Sequence, residues 1–95
     1  MSNIQSFANQ LAWCIQTQSY LNELNSEIRY VSDRYVQSVD MLRENGYLEE
    51  MLIRVQEMQS EFEESANDLI KHIEMEHLEY IEKQSKSIQK TLSAL

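Results

Sequence analysis

The sequence predicts an all-α protein, and three observations carry that prediction. The 95 residues include no proline and one glycine, so little is available for tight turns, bulges or a sheet. Glu, Gln, Lys, Leu and Met are plentiful, and all are good helix formers. Apolar residues recur at helical spacing along nearly the whole chain. The length allows a single domain, residues 1–95.

The first element is a helix over about residues 3–44. A 3-4-3-4 spacing lands on Ile4, Phe7, Leu11, Cys14, Gln18, Leu21, Asn25, Ile28, Ser32, Tyr35, Val39 and Leu42. Nine of these twelve are apolar or aromatic, or cysteine, which makes a heptad seam. The exceptions, Gln18, Asn25 and Ser32, share one heptad position. Leu24 and Val31 precede the last two by one residue. The stripe is therefore expected to shift sideways onto them in mid-helix, as a broad globular face does. Ser2 or Asn3 offers an N-cap.

The second element is a turn at Asn45 and Gly46. A glycine just past a helix takes a positive φ at little cost and closes the helix end. Arg43 stands in the last turn, where a cation favours the helix dipole. Leu48 opens a second apolar pattern two residues after Gly46. The expectation is an antiparallel two-helix hairpin with a short loop.

The third element is a helix over about residues 47–92. Leu48, Leu52, Val55, Phe62, Ala66, Leu69, Ile73 and Tyr80 follow helical spacing, with Met51 and Met58 beside the stripe. Beyond Tyr80 it continues through Ile81, Ile88, Leu92 and Leu95, across a polar gap at Gln84 and Ser85. The last turn or two is expected to fray. "EESAND", residues 63–68, holds weak helix formers and is a candidate break. Glu79 with Lys83, and Glu82 with Lys86, stand i,i+4 in the favourable order.

Each arm would be roughly 60–70 Å long at 1.5 Å per residue. Two such helices cannot cover both stripes and the apolar residues beside them. Trp13, Ile15, Tyr20, Tyr30, Val36, Ile70 and Leu78 all lie off the main seams. A second hairpin would cover them and complete a four-helix bundle by dimerisation. The expected partner is a protein, as a homodimer or a helical heterodimer. Its interface is expected on Ile4, Phe7, Leu11, Trp13, Leu21, Leu24, Ile28 and Tyr35, with Val55, Phe62, Leu69 and Ile73 opposite.

Charge excludes several functions. Sixteen acids against eight bases give a net charge of −8, so no clustered basic surface for nucleic acid is available. Anionic membrane surfaces are disfavoured for the same reason. No apolar run approaches the ~20 residues of a membrane span. The single Cys14 can form neither an internal disulfide nor a cysteine-only zinc site. No charged-then-apolar leader precedes the first helix. The expected compartment is the cytoplasm, with export by a route that reads no cleaved signal as the alternative.

Chemistry has three candidate settings. "HIEMEH", residues 72–77, holds Glu74 and His77 at the E-x-x-H spacing of di-iron bundles. A di-metal site would need both buried together, with a dimer mate and Glu23 or Glu27 supplying the rest. The simpler reading is an acidic surface helix with one boundary histidine. Cys14 lies on the seam as an ordinary buried thiol; His77 across the hairpin would be its only base, with no orienting third group. The acids from Glu61 to Glu82 read as a solvated face, or as a mimic of duplex phosphates. The expectation is accordingly no enzyme, with no catalytic, cofactor-binding or metal residues.

In size, acidity, single tryptophan, central turn with one glycine and need for a helical mate, the chain resembles the WxG-type small helical hairpins of type VII secretion and their accessory partners. The turn reads Glu44-Asn45-Gly46-Tyr47 in place of W-x-G, and the tryptophan is Trp13. No Y-x-x-x-[D/E] export signal is present: Gln84 is fourth after Tyr80, and Met51 fourth after Tyr47. The resemblance therefore implies an accessory hairpin that pairs with a larger effector's helical domain and escorts it. The function expected is a protein–protein interaction module or chaperone of that kind. The alternatives are an acidic, phage-type inhibitor of a host DNA-binding protein or nuclease and, third, a di-metal bundle.

Overall fold

The computed structural model describes residues 3–46 and 49–95. The chain is all-helical, in two arms joined at Asn45 and Gly46. The first arm is α1, Asn3–Glu44. The second begins with α2, Glu49–His72. It passes through a π-helical turn, Ile73–Leu78, and ends as α3, Glu79–Ala94. Ser2 as a cap, and Tyr47 and Leu48 as the start of the second arm, lie outside the described residues. The chain divides into two compact units, one of Met1–Leu24 with His72–Leu95, the other of Asn25–Lys71.

The turn is built as its residues require. Asn45 donates its backbone N–H to the Met41 carbonyl at 3.1 Å, and its Nδ2 donates to the same oxygen at 2.8 Å. Gly46 donates to the Arg43 carbonyl at 3.4 Å and has φ +71°. That bond and that φ are one half of a Schellman helix end. A Cβ built on Gly46 would meet nothing within 4 Å. Glycine is needed there for its backbone, not for space.

The α1 seam differs from the expected sideways shift. Along the strict 3-4 line every residue except Ile4 is buried or partly covered. Asn25, in the middle, is only 2 % exposed and Ser32 is buried, whereas Val31 is 52 % exposed. The reason is helical rigidity. Within the unit of residues 25–71, Ile28 and Val39 lie on this line, and an uninterrupted α-helix carries Asn25 and Ser32 into the same contact. Asn25 is buried with neither its Oδ1 nor its Nδ2 paired to a protein group.

In the second arm the contact line runs through Ala66, Ile70 and Ile73, all buried. "EESAND" is regular helix within α2, so no break occurs there. The irregularity comes ten residues after the start of that stretch. Continued at α spacing, the line beyond Ile73 would meet His77, Tyr80 and Gln84, and all three are exposed. The π turn inserts one residue into the phase. Its signature bond is the Glu79 backbone N–H donating to the Glu74 carbonyl, five residues back. The line then resumes at Leu78 and passes through Ile81, Ser85, Ile88 and Leu92, all buried or partly covered. Tyr80 and His77 therefore leave the stripe that spacing gave them, and Ile70 and Leu78 join it.

The end of the chain also differs from expectation. Helix persists to Ala94, where Thr91 Oγ1 and Ser93 Oγ donate to the carbonyls of Ser87 and Gln89 at 3.0 and 2.9 Å. The i,i+4 pairs form as the spacing predicts. Lys83 meets Glu79 at 3.2 Å and Lys86 meets Glu82 at 3.1 Å. All four side chains are well exposed, so these pairs contribute little, each roughly 0.3–0.5 kcal/mol.

Candidate protein interface

In the unit of residues 25–71, each helix has an apolar flank that adjoins its contact line and, on α1, shares Tyr35 and Leu42 with it. On α2 it falls at Met51, Val55, Met58, Phe62, Ser65 and Leu69, a 4-3-4-3-4 spacing that makes one stripe on one side. Met51, Met58, Phe62 and Leu69 are exposed and Val55 is partly covered. On α1 the flank is Val31, Tyr35, Ser38 and Leu42, again separated by three or four residues.

Two observations place these flanks on the same side of that unit. The Tyr35 and Phe62 rings stack with centroids 5.4 Å apart and planes 20° apart. Nearer the turn, Tyr35, Ser38, Val39, Leu42 and Val55 line a shallow, mostly apolar groove. Val31 lies one helical turn before Tyr35 and is open to solvent. The result is a continuous apolar face centred on the Tyr35–Phe62 stack.

Charges border this face. Glu27 and Arg34 stand one turn either side of Val31, and Arg54, Glu61 and Asp68 recur every seventh residue beside the α2 stripe. Arg34 is held in place by donating from Nη1 to Tyr30 Oη at 3.0 Å, with its guanidinium 5.7 Å from that ring's centre. Arg54 pairs with Glu57 at 3.4 Å, both well exposed.

The other unit has a smaller feature. Gln10, Trp13 and Cys14 on α1, with Tyr80, Gln84 and Ile88 on α3, line a groove of about 240 Å³. Trp13 is 59 % exposed and Tyr80 is exposed too, so two aromatic rings stand open at its sides. Cys14 is a free, buried thiol at its floor. His77 does not line it; it forms an edge-on pair with His72, ring centres 5.2 Å apart, across the π turn.

The residues expected at the interface fall into three groups. Ile4, Trp13, Phe62 and Leu69 are exposed and free to meet a partner. Phe7, Leu11, Leu21, Leu24, Ile28, Tyr35 and Val55 are partly covered within their own units. Ile73 is buried at 5 % exposure, so it belongs to the core of its unit and presents nothing to a second chain. Asn45 and Gly46 form the turn. Sequence reasoning sets Met51 and Met58 beside the stripe rather than in a contact, and places Val31 on the inward stripe rather than on an exposed face. Their signal is a second heptad line, one position away from the first.

A di-metal site required Glu74 and His77 to be buried together, and both are exposed. Among the described residues no three His, Cys, Asp or Glu side chains gather as a ligand set. Among them, too, no helix is long and apolar enough to cross a membrane. No protein-family model matches the chain, and neither a curated protein nor a solved structure does.

Proposed function

We propose that the chain is a non-enzymatic protein–protein interaction module, an acidic helical hairpin that docks a helical partner and acts as its chaperone or escort. The observation that carries this reading is the apolar face around the Tyr35–Phe62 stack. Met51, Met58 and Leu69 are each between 44 % and 49 % exposed there. Contiguous exposed apolar side chains bordered by charge are the usual mark of a docking surface. The acids off that face give solubility and discriminate among partners.

The finer reading, an accessory hairpin for an effector exported by a type VII-like route, rests on the resemblance in size, acidity and turn. It fits a chain that supplies two long amphipathic arms and leaves apolar surface for a second helical body.

The test is site-specific photocrosslinking in the producing cell. A photoreactive residue at Met58 or Leu69 is expected to yield a defined protein adduct, and one at the acidic Glu64 is not. An adduct with an effector bearing a helical domain supports the escort reading. Capture of a basic nuclease through Glu64, and none through Met58, would replace it with the phosphate-mimic reading.

A further inference from the structure

We infer that the occupant of the apolar face on the unit of residues 25–71 is a second copy of this chain, so that two such hairpins pair face to face. The inference rests on the reading of that face as a docking surface and names what covers it.

The first argument is charge. The border of this face carries both signs: Arg34 and Arg54 stand among Glu27, Glu57, Glu61 and Asp68. In a face-to-face pair of identical chains such a border lets the arginines of one copy meet the carboxylates of the other.

The second argument is area. Val31, Met51, Met58, Phe62 and Leu69 are 39–52 % exposed. A half-exposed side chain of this size leaves on the order of 80–100 Å² uncovered. With the remaining surface of Tyr35, Leu42 and Val55, the face offers roughly 500–700 Å². A specific interface of ordinary size takes about 800 Å² from each partner, so one copy of this face is nearly sufficient for a stable pair. Three of the exposed residues here are methionine or phenylalanine, types enriched where proteins meet.

The experiment is light scattering after gel filtration on the full chain, up to ~100 μM, since interfaces of this size begin at micromolar affinity. The expected mass is twice the 11.3 kDa of one chain. Met58→Glu and Leu69→Glu should each halve it, with helical circular dichroism unchanged. Ile53→Glu is the control, because Ile53 is equally exposed but lies off the stripe, and it should leave the mass doubled. A wild-type chain that stays at single mass throughout overturns the inference, as does a doubled mass that survives Met58→Glu and Leu69→Glu. If the chain is monomeric but a crosslinker at Met58 captures a different protein in cells, the second copy is refuted and the docking surface stands. If neither occurs, both fall.

Discussion

The two arms meet the same difficulty and answer it differently. Each has a contact line whose apolar residues run out. In α1 the line arrives at Gln18, Asn25 and Ser32, and the helix continues without interruption, taking the polar residues inside. In the second arm the line would arrive at His77, Tyr80 and Gln84, and the helix inserts a π turn so that Leu78 and Ile81 take their place. The difference lies in side-chain size and in the neighbouring residues along the helix. Asn25 and Ser32 are short and are enclosed, while the longer Gln18 is only partly covered. A histidine and a tyrosine in succession cannot be enclosed cheaply, and an apolar line exists one residue further on. One arm keeps its geometry and accepts a polar interior; the other keeps an apolar interior and gives up helical regularity.

The comparison breaks most sharply under a one-residue deletion in α1. Removing Glu27, itself exposed, rotates the two halves of the helix against each other by about 100°. α1 holds no irregular turn whose removal would restore the phase. Within the unit of residues 25–71, the line before the deletion and the run through Ile28, Ser32 and Val39 no longer share one face, and Val39 or its neighbours leave the interior. Uncovering one such side chain and its neighbours costs about 3 kcal/mol or more. Thermal denaturation should show that loss as a collapse of the melting temperature. A melting temperature within a few degrees of wild type would mean that α1 is not a rigid arm.

Next in size is Asn25. Both polar atoms of its side chain are enclosed without a protein partner. Each such group costs about 1–3 kcal/mol relative to a satisfied one. Asn25→Leu should therefore stabilise the chain by about 1–3 kcal/mol, seen as a higher denaturant midpoint with unchanged slope. Ser32→Ala, at the same heptad position, should change stability far less. A buried polar residue on a seam can also specify pairing, so the Asn25→Leu chain is expected to broaden its distribution of oligomers by light scattering.

The all-α class and the turn are legible in the sequence for simple reasons. A chain with no proline and a single glycine has one place to reverse, and Asn45 and Gly46 behave as their chemistry demands. The α1 seam is legible too, although weight given to Leu24 and Val31 points the wrong way for Asn25 and Ser32. Apolarity there competes with phase, and in an unbroken helix phase wins. The π turn is not legible. A stripe that runs from Ile73 to Tyr80 and continues at Ile81, with a polar gap at Gln84 and Ser85, can mean fraying, a gap or an inserted residue, and spacing alone does not choose among them. The exposed face is half legible. Val55, Phe62 and Leu69 stand out at once, but Met51 and Met58 look like bystanders as long as each helix is granted only one apolar line.

Gly46, where the two arms join, supplies a smaller effect that belongs to neither. Its φ of +71° strains any side chain, and a Cβ would touch nothing. Gly46→Ala should cost about 1–2 kcal/mol from backbone alone. Gly46→Asn should recover part of that, because asparagine tolerates the left-handed region. A domain of this size loses roughly 4–8 °C per kcal/mol, so the two variants are separable by melting temperature. Equal destabilisation by both would mean that the turn does not hold glycine's conformation in solution.

The smallest expected effect is the most decisive for the second arm. Deleting Met75, an exposed residue inside the π turn, removes the inserted residue itself. Ordinary α-helix then connects Ile73 to Leu78 with a spacing of four, and Ile81, Ser85, Ile88 and Leu92 remain on the contact line. Stability should change by less than about 1 kcal/mol, with helical circular dichroism preserved, because the deletion trades a π turn for regular α-helix at no loss of core. His72 and His77, now five residues apart, become an i,i+4 pair, which an α-helix also brings together, so their contact should persist, as the proton shifts of the two imidazoles would report. A one-residue deletion, so damaging at Glu27, should thus pass almost unnoticed at Met75. Equal damage at both positions would show that the π turn does more than correct the phase.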